Sequence, residues 1–455
     1  MPGRHLKSWL VLAAAFTASF AGAVGLGSAD EALRQSDAFP RIIDRSEDPR
    51  TSQIVEDGAW CWFADPRAVR HRGERDRTYV TYVSRLGDVM ISCFDHETRT
   101  IEHAELHHRL NQDDHANGGI VIRPDGRLML FYSGHSRRPM YFRVSRKAED
   151  ISAWEVPREL PADIPGDSGY TYANPVLLPE EKNRLYLFWR GGNRQPSFSR
   201  SDDLGETWEP ARNFILRNPP ASRPYVKVEH DGRKRIHIAF TDGHPRNVVN
   251  SVNYMYYEDG AFHKAYGTRI KSIDDGPVRP GEADVVYHAT EEKGRSWIWD
   301  IALDDRQRPV IVHSVMPEWT DHRYRYVRWD GRQWVDHMLC RAGGHIGLER
   351  EMHYSGGIYL DHEDPSVLYC SRQVPNTDTW RIERWQMGDG GISWKTTILT
   401  PEPQVKNVRP ITVRHHAGGE IQAIWMNGRY TYWTDYDTAL HAWPMNDPPV
   451  RPPAD

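Results

Sequence analysis

The sequence predicts an all-β protein, specifically a seven-bladed β-propeller, from three observations. Seven segments repeat one pattern, in which two β-rich runs flank a polar turn. The repeats recur every 50 to 75 residues or so, which leaves room for two further strands in each. No convincing amphipathic helix or glycine-rich phosphate loop interrupts them.

In chain order, residues 1–29 read as an export leader. Arg4, His5 and Lys7 form a charged start, and an apolar run follows from Trp9 to Gly27. Ala21, Ala23, Ser28 and Ala29 offer small residues for cleavage. The mature chain is therefore expected to be secreted or periplasmic, with no later segment long and apolar enough to span a bilayer. Residues 30–56 are polar and read as an N-terminal arm, and residues 57–445 as the propeller domain. The net charge of −5, from 58 basic and 63 acidic residues, argues against a general nucleic-acid binder, which needs a basic surface to displace counterions. Cys61, Cys93, Cys340 and Cys370 are too few for a disulfide scaffold in 455 residues. Buried, unpaired thiols are expected, with a metal shared by His337 and Cys340 as the less favoured alternative.

The repeats run over residues 64–87, 115–135, 172–193, 225–245, 299–315, 354–374 and 408–430. Each reads as a hairpin. Outer strands are visible in places, as in the aromatic run from Tyr254 to Tyr257 ahead of Asp259 and Gly260. Residues 201–208, SDDLGETW, fit the Asp-box, a turn between outer strands of a blade, and residues 389–394, DGGISW, fit its second half.

Geometry then selects functional candidates. The start of a hairpin's first strand and the end of its second lie together, so the seven hairpins should bring these positions to one mouth. The starts supply Asp65 and Arg67, Asp114 and His115, Tyr172 and Asn174, Arg223 and Tyr225, Trp299 and Asp300, His353 and Tyr354, and Arg409. The ends supply Arg85, His135, Arg190 and Asn193, His244 with Arg246 and Asn247, Arg372, and Asn427 with Arg429. The set is basic and aromatic although the chain is slightly acidic, which suits an anionic sugar. Guanidinium grips carboxylate or sulfate in a bidentate fashion, and aromatic rings stack on pyranose faces. The expected partner is an acidic polysaccharide or oligosaccharide bound by a monomer, with no nucleic acid and no membrane after leader cleavage.

Three functions fit such a mouth. A glycoside hydrolase of the usual kind needs paired carboxylic acids, or a Tyr nucleophile with a Glu partner in the sialidase manner. The mouth offers Asp65, Asp114 and Asp300 but no Glu. A lyase needs a cation to offset the uronate carboxylate, a base for the C5 proton and an acid for the leaving O4. Arg, His and Tyr supply those roles. A carbohydrate-binding propeller without catalysis is the third.

The segments DGAWCWFADPR (57–67), DDHAN (113–117), YSGH (132–135), FWRGGN (188–193), TDGHPRN (241–247) and DHEDP (361–365) resemble the BNR-4 repeat family over roughly residues 55–440. That family is similar to seven-bladed propeller lyases of the ulvan lyase and rhamnose–glucuronate lyase type. The resemblance implies a carbon–oxygen lyase acting by β-elimination, with His115, His135, Tyr172 and Arg190 as catalytic residues. It leaves open which of His115, His135 and Tyr172 is base and which is acid. Tyr225, Arg246 and Arg372 would assist binding. No organic cofactor is expected. Some relatives hold calcium in the channel, for which Asp65, Asp300 or the stretch 361–364 are the candidates here.

Overall fold

The computed structural model describes residues 33–161, 164–217 and 222–450. The leader expected over residues 1–29 lies outside them. The fold is all-β, and among the described residues the helical segments are single 3-10 turns such as Asp114–Ala116.

The strands form six sheets built of antiparallel meanders. The first runs Ala68–Arg72, Asp76–Val83, Val89–Asp95, Ile101–His107. The second runs Gly119–Ile122, Leu128–Ser133, Met140–Val144, Arg158–Glu159, and the third Thr171–Leu178, Arg184–Arg190, Pro196–Ser201, Arg212–Asn213. The fourth begins Val226–His230, Ile236–Thr241, Val252–Glu258, and the fifth runs Arg295–Leu303, Pro309–Glu318, Asp321–Trp329, Trp334–Gly343. The sixth sheet holds two meanders. Ile358–Leu360, Val367–Gln373, Trp380–Met387 and Ser393–Ile398 form one. Lys406–Thr412, Ala423–Tyr432 and Asp435–Trp443 form the other, joined to the first through a single parallel pair, Trp380 with Lys406. Each sequence repeat supplies the first hairpin of one meander.

The N-terminal segment is tied to the outside. Leu33–Ser36 lies parallel to Trp334–Gly343, and Arg41–Glu47 parallel to Ser393–Ile398. Ser52–Val55 pairs antiparallel with Asp435–Trp443, so the beginning of the described chain completes its last meander.

Burial explains the strand compositions. Leu128–Ser133 and Ile236–Thr241 are buried throughout, because both faces of a second strand pack on neighbouring meanders. Met140–Val144 alternates buried and half-buried, as a strand nearer the rim should. Both Asp-box motifs sit between third and fourth strands. Asp203 accepts from the Thr207 amide at 2.8 Å and its hydroxyl at 2.6 Å, while Gly205 takes the left-handed φ of +91° that the turn demands. Trp208 packs against Phe131 and Phe142 of the preceding meander, and Trp394 is fully buried.

Residues 60–67 form no strand and fill the space where the first strands converge. Trp62 stacks on Trp299 at 4.3 Å, and its indole N–H donates to the Ile298 carbonyl. Trp60 donates to the Arg409 carbonyl, and the Asp65 amide donates to Asn174. Asp65 lies fully buried in ion pairs with Arg67 and Lys227, and accepts from the Tyr359 hydroxyl at 2.8 Å. Lys227 also donates to the Trp62 carbonyl at 2.7 Å.

The four cysteines are free and buried. Among the described residues, His337 and Cys340 belong to no group of His, Cys, Asp or Glu close enough to share an ion.

Replacing Lys227 by Met removes the cation that Asp65 depends on and strands a buried charge. The expected loss is about 3–5 kcal/mol, read from urea unfolding. A loss below about 1 kcal/mol would show that Arg67 alone compensates the carboxylate.

Candidate active site

The end of the meanders where second strands finish carries a cluster of His, Tyr and Arg. His115 lies on the 3-10 turn Asp114–Ala116, whose preceding residue Asp113 accepts from the His115 amide at 3.0 Å and fixes the turn. His135 follows the strand Leu128–Ser133. The two imidazoles stack face to face, centroids 3.9 Å apart and 10° from parallel. Asp113 serves both: its Oδ1 is 2.6 Å from His115 Nδ1 and its Oδ2 is 2.8 Å from His135 Nδ1. Asp114 adds a second carboxylate to His115, its Oδ1 2.9 Å from the same Nδ1, while its Oδ2 accepts from Arg409 at 2.5 Å and from the Tyr430 hydroxyl at 2.7 Å.

Tyr172 is presented by a β-bulge. The register of the third meander's first hairpin shifts between Thr171 and Asn174, and Tyr172 adopts φ +68°. Such a bulge re-aims a side chain that regular alternation would send to the sheet face, and the left-handed backbone of a bulky residue is a cost held at a working site. The device recurs: register breaks between Ile298 and Asp300, and between Val408 and Ile411, present Trp299 and Arg409. The Tyr172 ring lies 5.6 Å from that of His115.

Arg190 ends the strand Arg184–Arg190 and is nearly fully buried. Its guanidinium lies over the Tyr172 ring at 4.8 Å and donates to the hydroxyls of Tyr225 at 3.1 Å, Ser136 at 3.2 Å and Thr171 at 3.2 Å. Its contacts are thus with neutral oxygens, which leaves the charge for a ligand.

Electrostatics separate the two histidines. Burial works against a charge on His115, but Cys61, Tyr172, Asp113 and Asp114 outweigh it and hold the imidazole well above the usual histidine range. Of these, the two carboxylates carry charge at neutral pH. Burial and then the charge on His115 push His135 down to about 4. Burial disfavours the Asp113 carboxylate, yet His115 and His135 keep it well below the ordinary range. At neutral pH a cationic His115 therefore lies against a neutral His135. With His135 Nδ1–H donated to Asp113, its Nε2 is left with a lone pair. Burial and then Tyr225 raise the Tyr172 phenol well above 10, so it carries its proton.

The remaining candidates divide. Tyr225 touches Arg190, and its ring meets His244 at 5.5 Å. His244 abuts His353 at 4.4 Å, and Arg246, half exposed, pairs with Glu351. Asn247 is exposed on the same loop. Asn193 and Arg372 do not join the cluster. The Asn193 amide donates to Asn213 at 2.9 Å and braces its own loop. Arg372 pairs with Glu383 on the adjacent strand and donates to the Arg341 carbonyl, because its sheet face looks toward the fifth meander. Trp433, half-buried and edge-on to both imidazoles at 5.8 and 5.9 Å, was not foreseen. It follows a last-meander strand whose end carries no marked motif.

The carboxylates that the sequence offered to calcium do not fit it. Asp65 is neutralised by Lys227 and Arg67. Asp300 accepts from the Leu360 amide and His362, and burial pushes it up to about 7. Asp361 pairs with His416 at 2.9 Å. Beyond Asp65, at the opposite end, a cavity of 960 Å³ is lined by turn residues including Gly126, His230, Asp304 and His362.

The profile of the family described as "BNR repeat-containing family member" matches residues 77–342. The chain is 20% identical over 413 residues to the Ulvan Lyase-PL25 of Pseudoalteromonas sp. (strain PLSV), covering 78% of this chain and 79% of that protein. It is 20% identical over 431 residues to the ulvan lyase of Nonlabens ulvanivorans, covering 79% and 83%. A solved structure of a PL25 ulvan lyase bound to -[GlcA(1-4)Rha3S]- superposes with a TM-score of 0.63 at 17% identity, over 88% of this chain and 95% of that one.

In Asp113→Asn, His115 loses one of its two anionic neighbours. Its pKa should fall by about a unit or more, read by NMR titration of the imidazole protons. An unmoved value would assign the shift to Asp114 alone.

Proposed function

This chain belongs to the BNR repeat-containing family, and from that membership and the His–Tyr–Arg geometry we propose that it is a polysaccharide lyase cleaving a uronate-containing polymer by β-elimination. The observation that carries the reading is the stacking of two histidines on one carboxylate, beside Tyr172 and an Arg190 that meets no counter-anion among the described residues. The seven meanders are read as seven propeller blades around the segment 60–67. The leader in residues 1–29 supports export, as a polymer too large to enter a cell requires.

The uronate carboxylate takes its place against Arg190, with His115 adding positive charge, so that electron density can pass to it from C5. His135 Nε2 removes the C5 proton. The electron pair forms the C4–C5 double bond, the C4–O4 bond breaks, and Tyr172 delivers its proton to O4. The proton on His135 then restores Tyr172, leaving an unsaturated uronate and a new reducing end. A phenol held well above 10 is a weak acid, but the leaving alkoxide is a stronger base, and Arg190 and His115 both offset the phenolate. Trp433 offers a flat face to a pyranose beside the bond that breaks.

A two-carboxylate hydrolase is less favoured. Asp114 is held by Arg409 and Tyr430, and Asp65 and Asp300 are buried around Lys227.

Incubation with rhamnose–glucuronate polymers should produce ultraviolet absorbance from the new double bond in step with reducing ends. Reducing ends without absorbance would identify a hydrolase; binding with neither signal, a lectin. His135→Ala should lower kcat by about 10²–10⁴ and Arg190→Ala by about 10²–10³, with the fold retained. Because His135 must be neutral, the acid limb of kcat/KM should fall near pH 4, below the ordinary histidine range. A limb at pH 6 or above would remove His135 as the base.

A further inference from the structure

Four guanidiniums gather on the side of the site that Tyr225 walls. Arg190 ends a strand, and Arg194 lies in the loop after it. Arg223 precedes Val226–His230, and Arg246 lies in the loop after Ile236–Thr241. The last two are held together by close backbone packing. A Cβ on Gly243 would stand 3.0 Å from the Ser222 Cβ and 3.4 Å from the Arg223 amide nitrogen. The same loop is locked by the Gly243 amide donating to Asn250 at 2.7 Å and by the Arg246 amide donating to His244 Nδ1 at 3.1 Å.

Two carboxylates answer these four cations. Arg246 pairs with Glu351, and Arg194 stands 3.6 Å from the exposed Asp167. Among the described residues Arg190 donates to hydroxyls only. Arg223 is half-buried, and among the described residues no carboxylate or hydrogen-bond acceptor reaches its side chain. The Nε atoms of Arg190 and Arg194 are likewise buried without a hydrogen bond. Burial lowers the Arg223 pKa against an opposing effect of Tyr225, and Arg194, Arg190 and Arg246 add to the lowering. Excess positive charge in a partly desolvated wall costs free energy unless a ligand brings the counter-charge. The uronate carboxylate accounts for one anion, at Arg190, and leaves Arg223 unanswered.

We propose that Arg223, flanked by Arg194 and Arg246, is a second anion subsite that takes a sulfate ester or carboxylate on a sugar adjacent to the one cleaved. The proposal rests on the reading of the site as one for a uronate polymer. It makes the preferred substrate a polyanion charged at more than one sugar, because the planar fork of Arg223 fits either oxyanion in a bidentate way.

The test uses the full chain carrying His135→Ala, which binds without cutting, with and without Arg223→Ala. Affinity for ulvan is compared with affinity for its desulfated form and for its desulfated, carboxyl-reduced form. Arg223→Ala should weaken ulvan binding about tenfold, Arg223→Lys should weaken it less, and the neutral polymer should be bound equally by all. A loss that vanishes on desulfation identifies sulfate as the ligand. One that persists until the carboxyls are reduced identifies a second uronate. A loss below twofold on ulvan, or an equal loss on the neutral polymer, overturns the proposal. Inorganic sulfate supplies an independent readout: it should raise Tm relative to chloride at equal ionic strength, and Arg223→Ala should abolish the rise. Sulfate protection through Arg223 without polymer binding would keep the subsite and sink the polymer reading. Cleavage of ulvan by the chain with His135 intact, unchanged by Arg223→Ala, would do the reverse. Neither protection nor binding overturns the subsite.

Discussion

The structure depends on one buried ionic contact, the pairing of Asp65 with Lys227 and Arg67 at the point where the first strands converge. The segment that carries Asp65 and Arg67 makes no strand and must satisfy its backbone through side chains of several meanders. Asn174, Lys227, Ile298, Tyr359 and Arg409 all bond to it. Three charges removed from water are tolerated there because each has a partner and further hydrogen bonds. Trp62, whose carbonyl accepts from Lys227, stacks on Trp299, and the pair supplies apolar burial that the polar contacts lack.

That filled centre shapes the site. It separates the His–Tyr–Arg end from the cavity at the turn end, and it keeps the central carboxylates paired with their own cations, so that among the described residues Arg190 and Arg223 at the opposite end meet no carboxylate. Asp113 performs the complementary task. One carboxylate bonded to two stacked rings, with Asp114 also against the inner ring, favours a proton on His115 and, through that charge, disfavours one on His135. Two chemically identical side chains thereby acquire different protonation states, the condition for one to act as a base while the other stays a cation.

Much of this was legible in the residues. The hairpins were visible because period-two runs and Asp-Gly turns are local signals, and the Asp-box because its hydrogen bonds span only a few residues. His115 and His135 could be placed side by side since hairpin geometry puts a start next to the following end. The same rule misplaced Arg372 and Asn193, because nearness to a strand end does not decide which sheet face a side chain takes. It overlooked Trp433, whose position depends on where the last meander lies against the second. The acidic residues read as open mouth ligands proved to be buried partners, since the residues that neutralise them, such as Lys227 and Arg409, lie far away in the chain.

The sequence by itself determined the all-β class, the repeated hairpins, the turn chemistry and the identity of most of the reactive side chains, because each follows from patterns within a few tens of residues. Tertiary structure alone decided the charge of each histidine, the bulge that aims Tyr172, the filling of the centre by residues 60–67, and the unanswered charge on Arg223. Those properties arise from burial and from contacts across the chain, such as that of Arg409 with Asp114 over 295 positions, and neither can be read from neighbours along the backbone.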